Sequence, residues 1–200
     1  MAADSTTIAQ DDTPAAQSGA ISAVYSLLAL TMRYPDAAFN VVEIFDALET
    51  LLTELAWAED LEAFRAWRRQ PIDHLDDLRT EHTRLFITAM SRRTVPPYAS
   101  VYLDGNGALF GRTTERTRDF YRQHGYDLAS EAEPADHLSL ELDFLAALTA
   151  EGKHEAEELF LRTLFRPWFE QFQEKCMKEA RHPFFQVSIR LIDFFTKEEL

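Results

Sequence analysis

Apolar residues recur at intervals of three and four along most of this chain, the repeat of helices that turn one face inward. Ile21, Val24, Tyr25, Leu28 and Met32 keep that repeat behind Ser18, a side chain suited to capping the start, and Pro35 marks the end. Over residues 39–58 it returns at Val41, Phe45, Leu48, Leu52 and Leu55, widened by Ile44 and Leu51. A short amphipathic piece with Leu61, Phe64 and Trp67 stops before Pro71, and another helix runs through Leu75, Leu78, His82, Leu85 and Phe86. His82 falls on its inner face, where an imidazole is expected as a satisfied core residue rather than a ligand. Residues 91–111 break the pattern, with Pro96, Pro97, Gly105, Gly107 and Gly111 as interruptions.

Helical spacing resumes at Thr113 or Thr114, passes Phe120, Tyr121 and His124, and stops at Gly125. After Gly152 it runs through Leu161, Leu164 and Phe165, is kinked or restarted at Pro167, and continues with Trp168, Phe169, Phe172 and Cys176. Phe184, Phe185, Ser188, Leu191, Ile192 and Phe195 make the last helical face. No segment alternates with the period of a strand. The chain is therefore read as all-α, a single-domain helical bundle of about eight to ten helices with a long mid-chain loop.

Composition narrows the function classes. Two hundred residues with 46% hydrophobic content suffice for one core, so residues 19–200 are expected to form one domain behind a disordered polar arm, residues 1–18. No run approaches the roughly 18 apolar residues of an integral membrane segment, and the polar start lacks a secretory signal's cationic and apolar regions. Cys176 is the sole cysteine, which rules out an intramolecular disulfide and agrees with a cytoplasmic setting. A net charge of −14 repels nucleic acid and attracts cationic peptide.

The densest chemistry lies in residues 133–144, EPADHLSLELDF. Pro134 and Asp136 are good helix starters; His137 and Glu141, four apart, project from one face beside a stripe of Leu138, Leu142, Leu145 and Leu148. Glu133, Asp136, His137 and Glu141 can thus gather around one imidazole, or serve as an ordinary cap with a solvated pair. His137 with Asp136 or Glu141 could also do acid-base work, although no catalytic nucleophile is readable beside them. Other motifs fail on context. Ser91-Arg92-Arg93-Thr94-Val95 imitates a twin-arginine export signal but runs into two prolines, and the glycines of residues 105–111 lack the strand that a dinucleotide site requires. The six histidines contain no pair at ligand spacing and there is no cysteine cluster, so neither a metal nor another cofactor is expected.

EPADHLSLELDFL resembles the signature of the TorD/DmsD family, which includes the NarJ-type proteins. EHTRLF at residues 81–86, PPYASVYLD at 96–104, FLRTLFRPWFEQF at 160–172 and the apolar run at 184–195 are similar to further family segments in the same order. Ala135 stands where an acidic residue is frequent and Tyr98 where some members carry Trp. The resemblance implies a cytoplasmic, non-enzymatic chaperone. Its partner would be the twin-arginine leader, and the body, of a precursor in the dimethyl sulfoxide reductase family of molybdoenzymes, held until the molybdenum cofactor is inserted. Tyr98, Val101 and Tyr102 are then expected as walls of a peptide groove, with Glu133, Pro134, Asp136, His137 and Glu141 at its polar rim. Monomer and helix-exchanged dimer are both compatible with it. A nucleotide-binding regulator is a further possibility that it raises.

Overall fold

The computed structural model describes residues 14–36, 38–88, 93–105, 109–130 and 132–197. Among them the chain is helical, with no strand beyond one isolated bridge between Tyr98 and His137. Ten α-helical segments follow one another: α1 (Pro14–Met32), α2 (Val41–Glu54), α3 (Ala58–Arg68), α4 (His74–His82), α5 (Ala99–Leu103), α6 (Arg112–Gln123), α7 (Leu138–Ala150), α8 (His154–Phe160), α9 (Arg166–Glu179) and α10 (Pro183–Thr196). The all-α expectation holds.

The pairing of α1 with α7 is the most extensive in the fold. The sequence of α7 is apolar nearly all round, which suits a helix covered on most sides, whereas α1 keeps an exposed face with Ala23, Ser26 and Leu30. Leu28, Ala29 and Met32 from α1 and Leu138, Leu142, Leu145 and Leu148 from α7 are fully buried, and Ser22 Oγ donates to the Ala146 carbonyl at 2.8 Å across the seam. Around this pair lie aromatic rings from α3, α8, α9 and α10, with Phe64, Phe160, Trp168, Phe169, Phe172, Phe184 and Phe185 sealed from solvent. Each contributes about 1.5–3 kcal/mol of apolar burial.

Several boundaries differ from the sequence reading. The first helix, Pro14–Met32, contains Ser18 rather than starting after it. Residues 1–13 of the expected arm lie outside the described residues. The second helix starts after Asn40, whose side chain accepts from the Glu43 N–H. The mid-chain loop contains α5, and α6 begins at Arg112 because the Asp104 carboxylate, rather than a threonine hydroxyl, accepts from the Thr113 N–H at 3.1 Å. Gly125 does end that helix, at φ +87°. Before Pro167 the chain takes a π-helical turn, Leu161–Phe165, and α9 restarts with the proline in its first turn, as anticipated. A second π-helical turn, Thr83–Ile87, extends α4 beyond His82.

Candidate functional site

The signature segment is held against the start of α5 by main-chain pairing. The Ala99 N–H donates to the Asp136 carbonyl at 3.1 Å and the Leu138 N–H to the Pro97 carbonyl at 2.9 Å, around the Tyr98–His137 bridge. The helix expected from Pro134 consequently begins only at Leu138. Pro134 instead opens a tight turn, its carbonyl accepting from the His137 N–H at 3.0 Å.

His137 is the cap of α7 rather than a member of its face. Its Nδ1 accepts from the Ser139 N–H at 3.1 Å and lies 2.8 Å from the Ser139 hydroxyl. With Nδ1 occupied as an acceptor, the proton of the neutral ring sits on Nε2. Burial, and then the charges of His82 and Arg33, push the imidazole down to about 3, so it stays neutral at physiological pH. Tyr98 packs edge-on against it, centroids 4.8 Å apart, and donates from its hydroxyl to Glu133 Oε1 at 2.7 Å.

The two other carboxylates expected at the rim are interior. Asp136 and Glu141 have no exposed surface, which corrects their placement. Asp136 Oδ2 accepts from the Ser100 N–H at 2.7 Å, capping α5 across the chain. Glu141 Oε2 accepts from Trp168 Nε1 at 3.0 Å. Burial and the neighbouring Asp136 charge hold Glu141 well above the usual carboxylate range. Asp136 Oδ1, Glu141 Oε1 and Ser100 Oγ have no hydrogen-bond partner among the described residues.

Above this buried layer opens a groove of about 390 Å³. Met32, Phe86, Ile87, Pro97 and Leu140 give it apolar walls, Tyr34 and Tyr98 aromatic ones, and Glu133, which is exposed, a carboxylate at the edge. His137, 8% exposed, and His82, 5% exposed, also line it. Arg33 lies at the margin and is ion-paired with Asp143. Val101 and Tyr102, expected as walls, are not in the lining. Tyr102 instead anchors its own segment, its ring 5.7 Å from Trp168 and its hydroxyl donating to the Pro96 carbonyl at 3.0 Å.

His82 departs from its expected role. Its Nε2 faces the Met32 carbonyl at 3.5 Å while Nδ1 has no partner among the described residues, so this buried ring is not a satisfied core histidine. An unpaired buried acceptor costs about 1–3 kcal/mol. Burial pushes its imidazole down to about 4, leaving an uncharged acceptor at neutral pH. Two neutral imidazoles are poor general bases, because efficient proton transfer wants a pKa near the working pH. No group of three or more metal-ligating side chains occurs among the described residues. The groove thus combines mainly apolar and aromatic walls with one exposed carboxylate at its edge.

A sequence profile described as the nitrate reductase delta subunit matches residues 46–174, well over half of the chain. This chain belongs to the nitrate reductase delta subunit family. Curated relatives carry the names anticipated from the TorD/DmsD resemblance. The Tat proofreading chaperone DmsD of Salmonella typhimurium is 39% identical over 106 residues, 52% of this chain and 50% of that protein. The chaperone protein TorD of a Psychrobacter species is 26% identical over 187 residues, 87% of this chain and 80% of that protein. The chain spans about half the length of the DmsD relatives it matches. Among solved structures, a putative redox enzyme maturation protein from Archaeoglobus fulgidus superposes with a TM-score of 0.57 at 24% identity, over 88% of this chain and 94% of that one, a likeness of fold. The groove lies beside the motif that carries the resemblance, with Glu133, His137 and Leu140 in its lining.

Proposed function

We propose that this protein is a maturation chaperone whose groove captures the twin-arginine leader of a molybdenum-cofactor oxidoreductase precursor, delaying export until the cofactor is in place. The carrying observation is the groove itself, where apolar walls meet a carboxylate edge at Glu133 and the capped His137, both on the signature segment. The names of the relatives, Tat proofreading chaperone and TorD chaperone, support the same reading. The cytoplasm, where a leader is met before export, is the compartment it requires.

The energetics favour this construction. Ordering an extended leader costs about 1–2 kcal/mol per residue fixed, whereas an exposed pair between arginine and Glu133 returns only about 0–1 kcal/mol. Affinity must come from burial of leader side chains against Met32, Phe86, Ile87 and Leu140, at roughly 1.5–3 kcal/mol each. Glu133 and the overall charge of −14 then select a cationic partner and speed its encounter. His137 Nε2–H adds a donor for a leader carbonyl. Asp136 and Glu141 act from beneath, by fixing the segment that carries the groove.

Titration of the protein with a fluorescent synthetic leader, two adjacent arginines ahead of a roughly ten-residue apolar run, tests this reading. Leu140→Glu should abolish binding and Glu133→Lys should weaken it while helical content is retained. Undiminished binding by both variants would place capture elsewhere.

A further inference from the structure

We propose that His82 is a ligand-binding residue of the groove, its Nδ1 accepting a hydrogen bond from a main-chain amide N–H of the captured segment. The inference rests on capture of a leader by this groove and names a contact within it. His82 forms part of the lining, is 5% exposed, and turns Nε2 toward the Met32 carbonyl at 3.5 Å, which places the ring proton there and leaves Nδ1 as a lone-pair acceptor. No described residue donates to that atom. Packing alone does not require a nitrogen here. The ring lies among Tyr34, Phe86 and Phe185, at centroid distances of 5.4, 4.9 and 6.0 Å, aromatic surroundings that a phenylalanine ring would also fill.

The chemistry of the site selects the donor. A guanidinium at His82 would be a buried cation beside a neutral ring, without counter-charge, whereas Glu133 offers one at the edge. An uncharged N–H needs only the lone pair. His137 supplies the converse group, an Nε2–H donor, so the groove presents one donor and one acceptor to a ligand. Extended main chain offers the complement of both, and such contacts hold whatever the side chains are. Tyr34, 48% exposed, packs edge-on against His82 in the wall of the same groove.

The test uses the full chain and the synthetic twin-arginine leader, together with a series of leaders N-methylated at single positions. On leader addition the ¹⁵N resonance of the unprotonated His82 nitrogen in the native protein should move upfield, the signature of a newly accepted hydrogen bond. His82→Phe should weaken binding about three- to tenfold. One N-methyl position should cost the native protein a similar factor and cost His82→Phe nothing. An unmoved resonance with unchanged binding by His82→Phe, while Glu133→Lys loses leader, would overturn the role of His82 and leave the groove reading intact. A moved resonance with no sensitive N-methyl position would overturn the main-chain contact. Failure of the native protein to bind, or full binding by Glu133→Lys and Leu140→Glu, would remove the groove reading and this inference with it. The resonance measurement needs no substitution, so it stands even where His82→Phe does not fold.

Discussion

The Asp136 carboxylate opens a helix that is not its own: Oδ2 accepts from the Ser100 N–H at 2.7 Å, joining residues 36 apart in the chain. That bond, with the flanking main-chain pairs, ties the signature segment to α5 and sets the wall on which Tyr98 stands. Asp136→Ala should therefore destabilise the fold by about 1–3 kcal/mol, the range of a lost cap and an unpaired buried amide. Asp136→Asn, which keeps an acceptor oxygen, should cost less. Urea denaturation of the two variants measures the difference. An unaltered midpoint for Asp136→Ala would deny the carboxylate its structural role.

His137 combines a cap through Nδ1 with a donor through Nε2, and two substitutions separate them. His137→Ala removes both, and should lower stability by about 1 kcal/mol and weaken leader binding. His137→Asn restores an acceptor for the Ser139 N–H but does not reach into the groove as the ring does. Its melting temperature should recover most of the loss while leader affinity stays low. Joint recovery of stability and binding would mean that the histidine acts only as a cap.

The sequence was most informative where periodicity governs structure. The stripe of Leu138, Leu142, Leu145 and Leu148 is the fully buried face of α7, and Pro167 does mark a restart, since both follow from backbone geometry that neighbours along the chain fix. Site geometry was harder to read because it depends on distant pairings. Asp136 looked like a local helix starter, yet Ser100, far off in sequence, uses its carboxylate. Glu141, spaced to accompany His137, points inward to Trp168. Charge in a sequence favours a surface assignment, and only the fold reveals that a carboxyl group is buried. Tyr34 and Ile87, half-exposed groove residues, carry no motif at all. His82 was visible on an inner helical face, but its missing partner was not.

Glu141 gives the fold a stability that declines toward alkaline pH. Burial raises its folded pKa above the unfolded value of 4.5, so the folded chain retains a proton that the unfolded chain releases. Its contribution is complete below 4.5 and is lost as pH rises through the folded pKa. Glutamine keeps an acceptor for Trp168 Nε1 and does not titrate. The stability of Glu141→Gln relative to the native protein should grow by up to about 1.4 kcal/mol per pH unit between 4.5 and the folded pKa. Denaturation at pH 5, 6 and 7 checks the slope, and a flat difference would indicate that Glu141 ionises freely in the folded chain. Leader binding should be retained, because the side chain is closed to the groove.

His82 produces the opposite slope. Its folded pKa, pushed down to about 4, lies below the unfolded 6.5, so between those values the unfolded chain binds the extra proton. The stability associated with the neutral ring is complete above 6.5 and erodes as pH falls toward 4. His82→Phe abolishes this titration, and it exchanges the unpaired Nδ1 for an unpaired Met32 carbonyl, two terms of similar size. The stability difference should therefore move in the variant's favour by at most about 1.4 kcal/mol per pH unit on acidification below 6.5. Groups titrating equally in both proteins cancel in the difference, which isolates the imidazole. A gap that stays constant from pH 7 to pH 4.5 would mean that the buried ring gains a proton as readily as an exposed one, and hence that the groove floor is open to water.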